Sequence, residues 1–494
     1  MPQCWWSEGS VLRESRSFPS FRLCNAWRVA LHATATEEDN GCSRATERAR
    51  RIRHCTLPAP VGGIDRTFER VISMQPRREI GYMQGFEYRN GVLHAEGVSL
   101  ETLAERHGTP LYVYSQGHLR SQFRELADAM AEVTPLVCYS VKANSNGAVI
   151  RTFAELGGGF DIVSGGELFR ALRAGADRSR IVFAGVGKTT DEIRYALREG
   201  ILFFTVESEP EAERISHCAV DLGVKGRIAF RVNPDVDPKT HQYISTGKKE
   251  NKFGLDIERT ERAYAAAARL PGVEIVGLHM HIGSQILTVE PFSAALGKVL
   301  PLCRSLRRQY PSFRHLDIGG GIGIQYRADQ PPMLPGDFAA AVLPHLRGTG
   351  LSVVMEPGRY LVGNAGLLLC RVQYVKDNPL KRFVIVDAGM NDLIRPSLYQ
   401  AHHEVRAVRH VAGTMLGDLV GPICESGDFL AIDRELPAVR EGDLVAVMSA
   451  GAYGFAMASN YNSRPNPAEI MVDGSKAAVI RARGTYEDLV SRET

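Results

Sequence analysis

Short apolar runs with the length of β-strands alternate with amphipathic helical segments between Leu111 and Glu356. Polar residues or glycine close most of these runs. The nine runs cover residues 111–114, 137–141, 159–163, 181–185, 202–206, 228–232, 275–281, 315–319 and 352–356. Repeated alternation of strand and helix over this length predicts an α/β fold with a parallel, TIM-like (β/α)8 barrel. The polar ends of the runs are where such a barrel keeps its chemistry.

The pattern changes after Pro357, where helical periodicity becomes rare. Short alternating runs at residues 370–375, 382–387, 403–408 and 443–448 are separated by Gly, Pro and Asp. This pattern predicts a second, antiparallel β domain. Upstream of the barrel, residues 86–95 predict two short strands around an Asn90-Gly91 turn, and Leu100 to His107 predicts a helix that Gly108 closes.

Residues 1–82 differ from the rest of the chain. They contain all three tryptophans, four of the nine cysteines and no lysine, and no helical or strand period persists in them. Several acidic residues argue against a transit peptide, and Arg28 interrupts the only apolar stretch that resembles a signal core. We expect a disordered N-terminal extension from a start codon placed too early, with Met74 or Met83 as the true beginning.

Composition narrows the class of protein. A chain of 494 residues with 44% apolar content has material for two domains and an appendage. A net charge of +3 gives no reason to expect a nucleic-acid partner. The cysteines form no Cys-x-x-Cys pair, which favours free thiols in a reducing, cytoplasmic compartment. No apolar run approaches the ~20 residues of a membrane helix.

Lys142 ends an apolar, strand-like run and is followed by small polar residues, Ala143-Asn144. An amine at the end of a barrel strand can trap an aldehyde if its surroundings lower its pKa. A solvated surface lysine is the alternative for this residue considered by itself.

Five further motifs follow Lys142 in order. They are His279-Met-His281-Ile-Gly283-Ser284-Gln285, Asp317-Ile-Gly319-Gly320-Gly321-Ile-Gly323, Glu356-Pro357-Gly358-Arg359-Tyr360, Cys424-Glu425-Ser426-Gly427-Asp428 and Gly451-Ala-Tyr453-Gly454. Together they resemble the fold type III pyridoxal-phosphate decarboxylases, and within these the diaminopimelate decarboxylases, from about residue 86 to about residue 489. The resemblance implies a pyridoxal-phosphate-binding barrel at 114–360 and a C-terminal β domain like that of alanine racemase at 361–494. The segment 83–113 would join the β domain.

The resemblance also implies pyridoxal 5'-phosphate as cofactor. It assigns cofactor contacts to Lys142, Asp161, His281, Ser284, Gly319, Gly320, Gly321, Glu356, Pro357, Gly358, Arg359 and Tyr453. Bare backbone N–H groups of a triple glycine can approach phosphate oxygens, although a tight barrel turn explains the same residues. A carboxylate at position 356 would keep the ring nitrogen protonated, which suits decarboxylation; a salt bridge with Arg359 is its alternative.

Two of these assignments have competing explanations. His279 and His281 project to one face of a strand and can bind metal, but no carboxylate or cysteine cluster beside them completes a metal set. The resemblance places His281 against the cofactor ring instead, and we expect no metal. Asp161 and Glu167 match positions near the cofactor pocket, with helix capping or barrel-end structure as the alternative.

Catalysis and substrate choice follow from the same resemblance. Lys142 and Cys424 are the catalytic pair, and Cys424 would be a proton donor supplied by the neighbouring subunit of a homodimer with shared active sites. The residues that would contact the substrate are Arg359, Arg395, Tyr399, Glu425 and Tyr453. An arginine fork at 395 matches a distal carboxylate, and Glu425 matches a distal ammonium group, with Tyr399 assisting. A core tyrosine remains the alternative for Tyr453.

The implied function is decarboxylation of meso-2,6-diaminopimelate to L-lysine and CO2, the last step of lysine biosynthesis. One alternative is an ornithine or arginine decarboxylase of the same fold, which would tolerate loss of Arg395. Another is a non-catalytic regulatory homologue, but such a protein is expected to lose Lys142 or the triple glycine, and both are present. A polar loop at 241–254 is predicted to close over the substrate, or to be solvated without a role in closure.

Overall fold

The computed structural model describes residues 84–237 and 252–494. The expectations for residues 1–82, and for most of the predicted loop at 241–254, lie outside the described residues.

The chain order of elements begins with a small strand cluster, continues through the barrel and ends in a second β region. The strands are β1 (Phe86–Arg89), β2 (Val92–Ala95), β3 (Val98–Ser99), β4 (Leu111–Ser115), β5 (Leu136–Ser140), β6 (Gly159–Ile162), β7 (Ile181–Phe183), β8 (Phe203–Val206), β9 (Gly226–Asn233), β10 (Leu255–Asp256), β11 (Val273–Met280), β12 (His315–Asp317), β13 (Ser352–Met355), β14 (Gly366–Asp377), β15 (Arg382–Val386), β16 (Val405–Ala407), β17 (Thr414–Val420), β18 (Phe429–Pro437), β19 (Leu444–Val447), β20 (Ala468–Asp473) and β21 (Lys476–Arg481). The helices are α1 (Leu100–His107), α2 (Gln116–Ala129), α3 (Gly147–Glu155), α4 (Gly165–Arg173), α5 (Thr190–Glu199), α6 (Glu209–Asp221), α7 (Ile257–Ala267), α8 (Glu290–Gln309), α9 (Pro335–Leu346), α10 (Arg359–Val362), α11 (Arg395–Tyr399) and α12 (Tyr486–Val490).

Eight parallel strands form a closed barrel, which confirms the predicted fold class. Their order is β5, β6, β7, β8, β9, β11, β12 and β13, and β13 pairs with β5 to close the ring. Side chains from six of these strands form a separate buried cluster, Cys138, Val182, Phe203, Ala229, Val276 and Val354. Parallel strands covered on both faces need such continuous apolar runs, which explains why the runs were readable from sequence.

Local signals set where the barrel helices begin and end. The Ser164 hydroxyl accepts the Glu167 N–H at the start of α4. Thr189 and Glu192 form a reciprocal capping box at the start of α5, and Gly200 ends this helix with φ +68°. The Ser164 and Thr189 caps lie in loops that follow the carboxyl ends of β6 and β7, so they help to fix the mouth of the barrel, whereas Gly200 lies in the loop that leads into β8.

A second sheet forms the β domain and combines segments from both sides of the barrel sequence. Strand β4 pairs with β14 in antiparallel fashion and with β20 in parallel fashion. The apolar run at 111–114 therefore belongs to this sheet and not to the barrel. The pairing of β15 with β17 is also parallel, so the sheet is mixed, although most of its pairings are antiparallel.

The predicted N-terminal hairpin and helix are confirmed. Phe86 pairs with Ala95 across the turn, and Asn90 and Gly91 have φ values of +50° and +78°. Positive φ at both turn positions is what a two-residue hairpin needs, and Asn-Gly provides it at low steric cost. Helix α1 ends at Gly108, as expected.

None of the helices in the described ranges is long and apolar enough to cross a membrane.

Candidate active site

Lys142 lies directly after β5, beside the end of β6. Its Nζ is 2.5 Å from Asp161 Oδ2, and the Ser140 hydroxyl is 2.7 Å from the same oxygen. Burial lowers the pKa of Lys142, but the charges of Asp161 and Glu356 more than offset this and hold the pKa above its ordinary value. Burial also raises the pKa of Asp161. The described protein therefore has a protonated lysine beside a carboxylate that can accept its proton.

Glu356 follows β13 and lies fully inside the protein. Its Oε2 is 3.1 Å from His279 Nε2, whereas its Oε1 has no hydrogen-bond partner among the described residues. Burial opposes ionisation, but the contact with His279 and the charge of Lys142 lower the pKa of Glu356 well below its usual range. Glu356 is thus held as a carboxylate.

Asp317 completes a buried cluster with His279 and Glu356, whose potential ligand atoms lie within 4.8 Å of one another. The expectation that no carboxylate set lies beside the histidines was therefore wrong for His279, because the successive strands β11, β12 and β13 lie side by side in the barrel. Burial and the charge of Glu356 raise the pKa of Asp317 well above its usual value. One carboxyl group of this pair is held protonated and the other ionised.

The triple glycine lies where no larger residue fits. Gly319 and Gly321 have φ values of +69° and +104°, and a Cβ at any of the three glycines would collide with a backbone carbonyl oxygen. The Gly319 N–H donates to Asp317 Oδ1 over 2.9 Å. The glycine loop is therefore held in place by its close contacts with neighbouring backbone carbonyl groups and by the hydrogen bond to Asp317.

His281 accepts a hydrogen bond from the Gly320 N–H at Nδ1 over 3.1 Å. Nδ1 is therefore unprotonated, and the ring proton of the neutral form lies on Nε2. Burial and the charge of Arg231 lower the pKa of His281 well below its ordinary value. The imidazole ring of His281 is therefore neutral and lies beside the glycine loop.

Arg359 begins α10 directly after the Glu356-Pro357-Gly358 segment. Its Nη1 donates to the Tyr326 hydroxyl over 2.7 Å, and its Nη2 donates to Ser284 Oγ over 3.1 Å. Its guanidinium also lies 4.9 Å from the centre of the Tyr453 ring. A salt bridge between Glu356 and Arg359, the alternative drawn from their spacing, is not among the ion pairs of the described residues.

The segment before Arg359 packs on the Lys142 segment. The Ser140 N–H donates to the Pro357 carbonyl over 3.1 Å. A Cβ on Gly358 would lie 3.0 Å from the Ser140 Cβ and 3.2 Å from the Ala143 Cβ. Glycine at this position therefore allows the ends of β13 and β5 to approach closely.

The β domain reaches the mouth of the barrel through Tyr453. Its backbone N–H donates to the Ala143 carbonyl over 2.8 Å, and its φ is +56°. A non-glycine residue in the left-handed region is strained, so the surrounding structure must hold it in place. The hydrogen bond to Ala143, the residue after Lys142, places Tyr453 beside the Lys142 segment.

Arg395 begins α11 in the β domain and is buried. Its Nη1 is 2.7 Å from His403 Nε2, and its guanidinium lies 4.8 Å from the centre of the Tyr326 ring. Tyr326 therefore contacts both Arg359 and Arg395. Sequence reasoning missed Tyr326 and His403, because neither belongs to a motif and only the fold brings them to the arginines.

Cys424, Glu425 and Tyr399 differ from the buried residues. Cys424 and Glu425 are exposed in the loop between β17 and β18, and the Cys424 N–H donates to Asn462 Oδ1 over 2.8 Å. Tyr399, at the end of α11, is partly buried. Within the described part of the chain, no hydrogen bond or ion pair joins Cys424 or Glu425 to Lys142, Arg359 or Arg395.

The residues around Lys142 fit pyridoxal phosphate. Buried polar atoms without a hydrogen-bond partner in the described structure include Asp161 Oδ1, His279 Nδ1, Arg359 Nε and Arg395 Nε. Buried polar atoms are normally hydrogen-bonded, so this concentration indicates a polar ligand. Glu167 fits the capping alternative as well, since its Oε2 accepts the Val163 N–H over 2.8 Å.

Comparison with known proteins also indicates a pyridoxal-dependent decarboxylase. The family described as "Pyridoxal-dependent decarboxylase, pyridoxal binding domain" matches residues 116–363. The diaminopimelate decarboxylase of Pseudomonas aeruginosa is 54% identical over 413 residues, which cover 83% of this chain and 99% of that protein.

Two solved structures of proteins with the same name are also similar. The diaminopimelate decarboxylase of Helicobacter pylori, complexed with L-lysine, is 44% identical with a TM-score of 0.77, and the match covers 80% of this chain and 98% of that chain. The enzyme of M. jannaschii, in co-complex with L-lysine, is 36% identical with a TM-score of 0.80, over 83% of this chain and 98% of that chain.

Proposed function

Because this chain belongs to the diaminopimelate decarboxylases, a branch of the pyridoxal-dependent decarboxylases, we propose that it converts meso-2,6-diaminopimelate to L-lysine and CO2, the last step of lysine biosynthesis. The observation that carries this function is the 54% identity to a curated diaminopimelate decarboxylase over almost the whole of that protein. The two buried arginines near the barrel mouth support an anionic, amino-acid substrate.

Pyridoxal phosphate is the proposed cofactor. Lys142 would hold it covalently, and Gly319 to Gly321, Ser284 and Arg359 would hold its phosphate. His281 would lie against the ring, with Asp161, Pro357, Gly358 and Tyr453 lining the same pocket. When bound, this cofactor supplies an electron sink for the pair left by the departing carboxylate.

The protein's own groups prepare this chemistry through their charges. Glu356 stays ionised inside the barrel, so its charge can hold a proton on the ring nitrogen. Lys142 must lose its proton before its amine can bond to an aldehyde, and Asp161 is 2.5 Å away to accept it. The neutral ring of His281 covers one side of the pocket without adding charge.

The far end of the substrate is assigned to Arg395, Tyr399 and Glu425. Arg395 would bind the distal carboxylate and Glu425 the distal ammonium group, with Tyr399 assisting. Arg359 and Tyr453 lie between this end and Lys142. An α-amino-acid group at the far end is present in diaminopimelate and absent from ornithine.

The exposed position of Cys424 supports a site shared between two copies of the chain. In a homodimer, the partner subunit's Cys424 would return a proton to the carbon that has lost CO2. The chemistry would then need two chains for each active site.

The experiment that tests the function measures CO2 release by the purified protein with added pyridoxal phosphate. It compares meso-diaminopimelate, L-ornithine and L-arginine side by side. We expect release from diaminopimelate alone. Release from ornithine or arginine would overturn the assignment of Arg395 and Glu425, and no release from any of the three despite bound cofactor would favour a regulatory homologue.

A further inference from the structure

Two buried cations lie close together without a neutralising partner. Arg359 is 7% exposed and Arg395 is 5% exposed. Neither forms an ion pair with a carboxylate within the ranges that the structure describes, and the Nε atom of each has no hydrogen-bond partner there. Both guanidinium groups face the ring of Tyr326, at 5.9 Å and 4.8 Å from its centre. Two like charges repel each other strongly when buried, so the side chains that hold the two guanidinium groups in place matter for the site.

His403 provides a neutral acceptor for Arg395. His403 Nδ1 is 2.8 Å from the Met448 carbonyl oxygen, which only accepts, so Nδ1 has the proton. Nε2 is then a lone-pair acceptor for Arg395 Nη1, 2.7 Å away. The ring is fully buried, and burial together with the charge of Arg395 lowers the pKa of His403 well below its ordinary value. The imidazole is therefore neutral and fixed in one tautomer.

Tyr326 provides the second neutral contact. Its hydroxyl accepts from Arg359 Nη1, and its ring meets His403 edge-on, with centroids 5.5 Å apart and planes at 77°. Burial would raise the pKa of Tyr326, but the two arginines outweigh it and the pKa lies below the ordinary value. Tyr326 and His403 thus form one connected support for both arginines.

The neutrality of this support decides what the arginines can bind. A carboxylate in place of His403 would neutralise Arg395 and compete with any anionic ligand. An imidazole satisfies one guanidinium donor and leaves the charge and the remaining donors for a ligand. A buried, uncompensated charge favours a carboxylate that arrives with the substrate.

We propose that His403 and Tyr326 are positioning residues which hold Arg395 and Arg359 through neutral acceptors, so that Arg395 keeps its charge for the distal carboxylate of the substrate and Arg359 keeps its charge for the cofactor phosphate and the substrate beside it. This inference rests on the proposed function and deepens it, because it identifies the residues that prepare the site for a distal carboxylate.

The test is a matched pair of holoenzyme variants, His403→Gln and His403→Glu. The two side chains have nearly the same size, but only Glu adds a charge against Arg395. We expect inhibition by L-lysine, which keeps the distal carboxylate, to weaken about tenfold or more in His403→Glu and only a few-fold in His403→Gln. Inhibition by cadaverine, which lacks a carboxylate, is expected to change little in either variant.

A second variant covers the case in which His403→Glu does not fold. Tyr326→Phe keeps the ring and removes the hydroxyl that Arg359 contacts. We expect it to raise the KM for diaminopimelate several-fold with a smaller change in kcat, while the absorbance of the bound cofactor is unchanged. Equal losses for L-lysine and cadaverine, or equal behaviour of the Gln and Glu variants, would overturn the proposal.

Failure of the proposed function would look different. In that case the wild-type protein would release no CO2 from diaminopimelate, whereas the contrast between His403→Gln and His403→Glu can still be measured as direct binding of L-lysine by calorimetry.

Discussion

The neighbours of Glu356 determine whether this buried carboxyl group is ionised. Burial alone would keep it protonated, yet His279 at 3.1 Å and Lys142 nearby hold it ionised. The pKa of Asp317, in the same cluster, is raised instead. Two carboxyl groups of similar intrinsic acidity are thus separated by their environments, a pattern that is typical of active sites.

Replacing this carboxylate tests the electronic role of Glu356. Glu356→Gln keeps the size but removes the charge, so we expect kcat to fall about 100-fold or more while bound cofactor remains visible in the absorbance spectrum. The measurement is CO2 release at saturating diaminopimelate. The same substitution at Glu105, exposed on α1, is the control and should leave kcat unchanged. Full activity in Glu356→Gln would contradict the role.

Glu167 predicts a dependence of stability on pH. Burial raises its pKa to about 7, against 4.5 for the ordinary group. Between these values the unfolded chain has lost its proton and the folded protein has kept it, so the stabilisation decreases as pH rises from about 4.5 to about 7. Glu167→Gln removes this dependence but keeps an acceptor for the Val163 N–H.

Thermal unfolding of the cofactor-free protein at about pH 5 and about pH 8 measures this effect. The Tm of Glu167→Gln relative to wild type is expected to be higher at the alkaline pH than at the acidic pH. A Tm difference that is constant between the two conditions would show that Glu167 does not titrate in this range.

At the scale of elements, the loops after the barrel strands bring the candidate residues together. Asp161 lies near the carboxyl end of β6, the triple glycine follows β12, and Glu356 follows β13. Parallel strands place all their carboxyl ends at one edge, so residues far apart in sequence meet there. The glycine loop fits only because its backbone approaches its neighbours without side chains.

A methyl group in this loop is therefore expected to be costly. In Gly320→Ala the new Cβ would collide with the Glu356 carbonyl, so we expect the free energy of unfolding to fall by about 1–3 kcal/mol and cofactor affinity to fall with it. The matched control is Gly297→Ala on the exposed face of α8, where nothing lies within 4 Å. That change is expected to stabilise by about 0.5–1 kcal/mol and leave cofactor affinity unchanged. Urea titration and cofactor titration measure the two effects.

At the scale of the whole molecule, the β domain takes part in the site. Strand β4 precedes the barrel in sequence but pairs with β14 and β20 after it, so the chain returns to the same sheet. From this sheet, Arg395 and Tyr453 reach the barrel residues Tyr326 and Ala143. The loop with Cys424 lies on the same domain and is exposed.

A shared site predicts recovery of activity on mixing inactive variants. Lys142→Ala and Cys424→Ala should each be nearly inactive, but equal amounts unfolded and refolded together should regain about a quarter of wild-type activity, because half of the dimers then have one intact site. Lys142→Ala mixed with Glu356→Gln is the control and should regain none, since both residues come from one chain. Absence of recovery in the first mixture would contradict a shared site.

The fold was predictable to a large extent because its signals are local. Strand length, alternation with helices and the Asn90-Gly91 turn each depend on a few neighbouring residues, and the barrel followed from their repetition. The run at 111–114 was the exception, because a buried strand has the same apolar pattern whether it lies in a barrel or in another buried sheet. The candidate residues could be named from their motifs, and their roles stay predictions.

The amino-acid sequence by itself determined the periodic pattern that forms the barrel, the glycines that allow close approach, and the chemical types at the ends of the strands. Only the tertiary structure decided which of these groups are buried together and therefore which are charged. Asp317 lies beside Glu356 although α9 and β13 separate them in sequence, and His403 contacts Arg395 from eight residues further along the chain, so no motif records either pair. Their protonation depends on burial and on the charge of a distant neighbour, both of which exist only once the chain has folded.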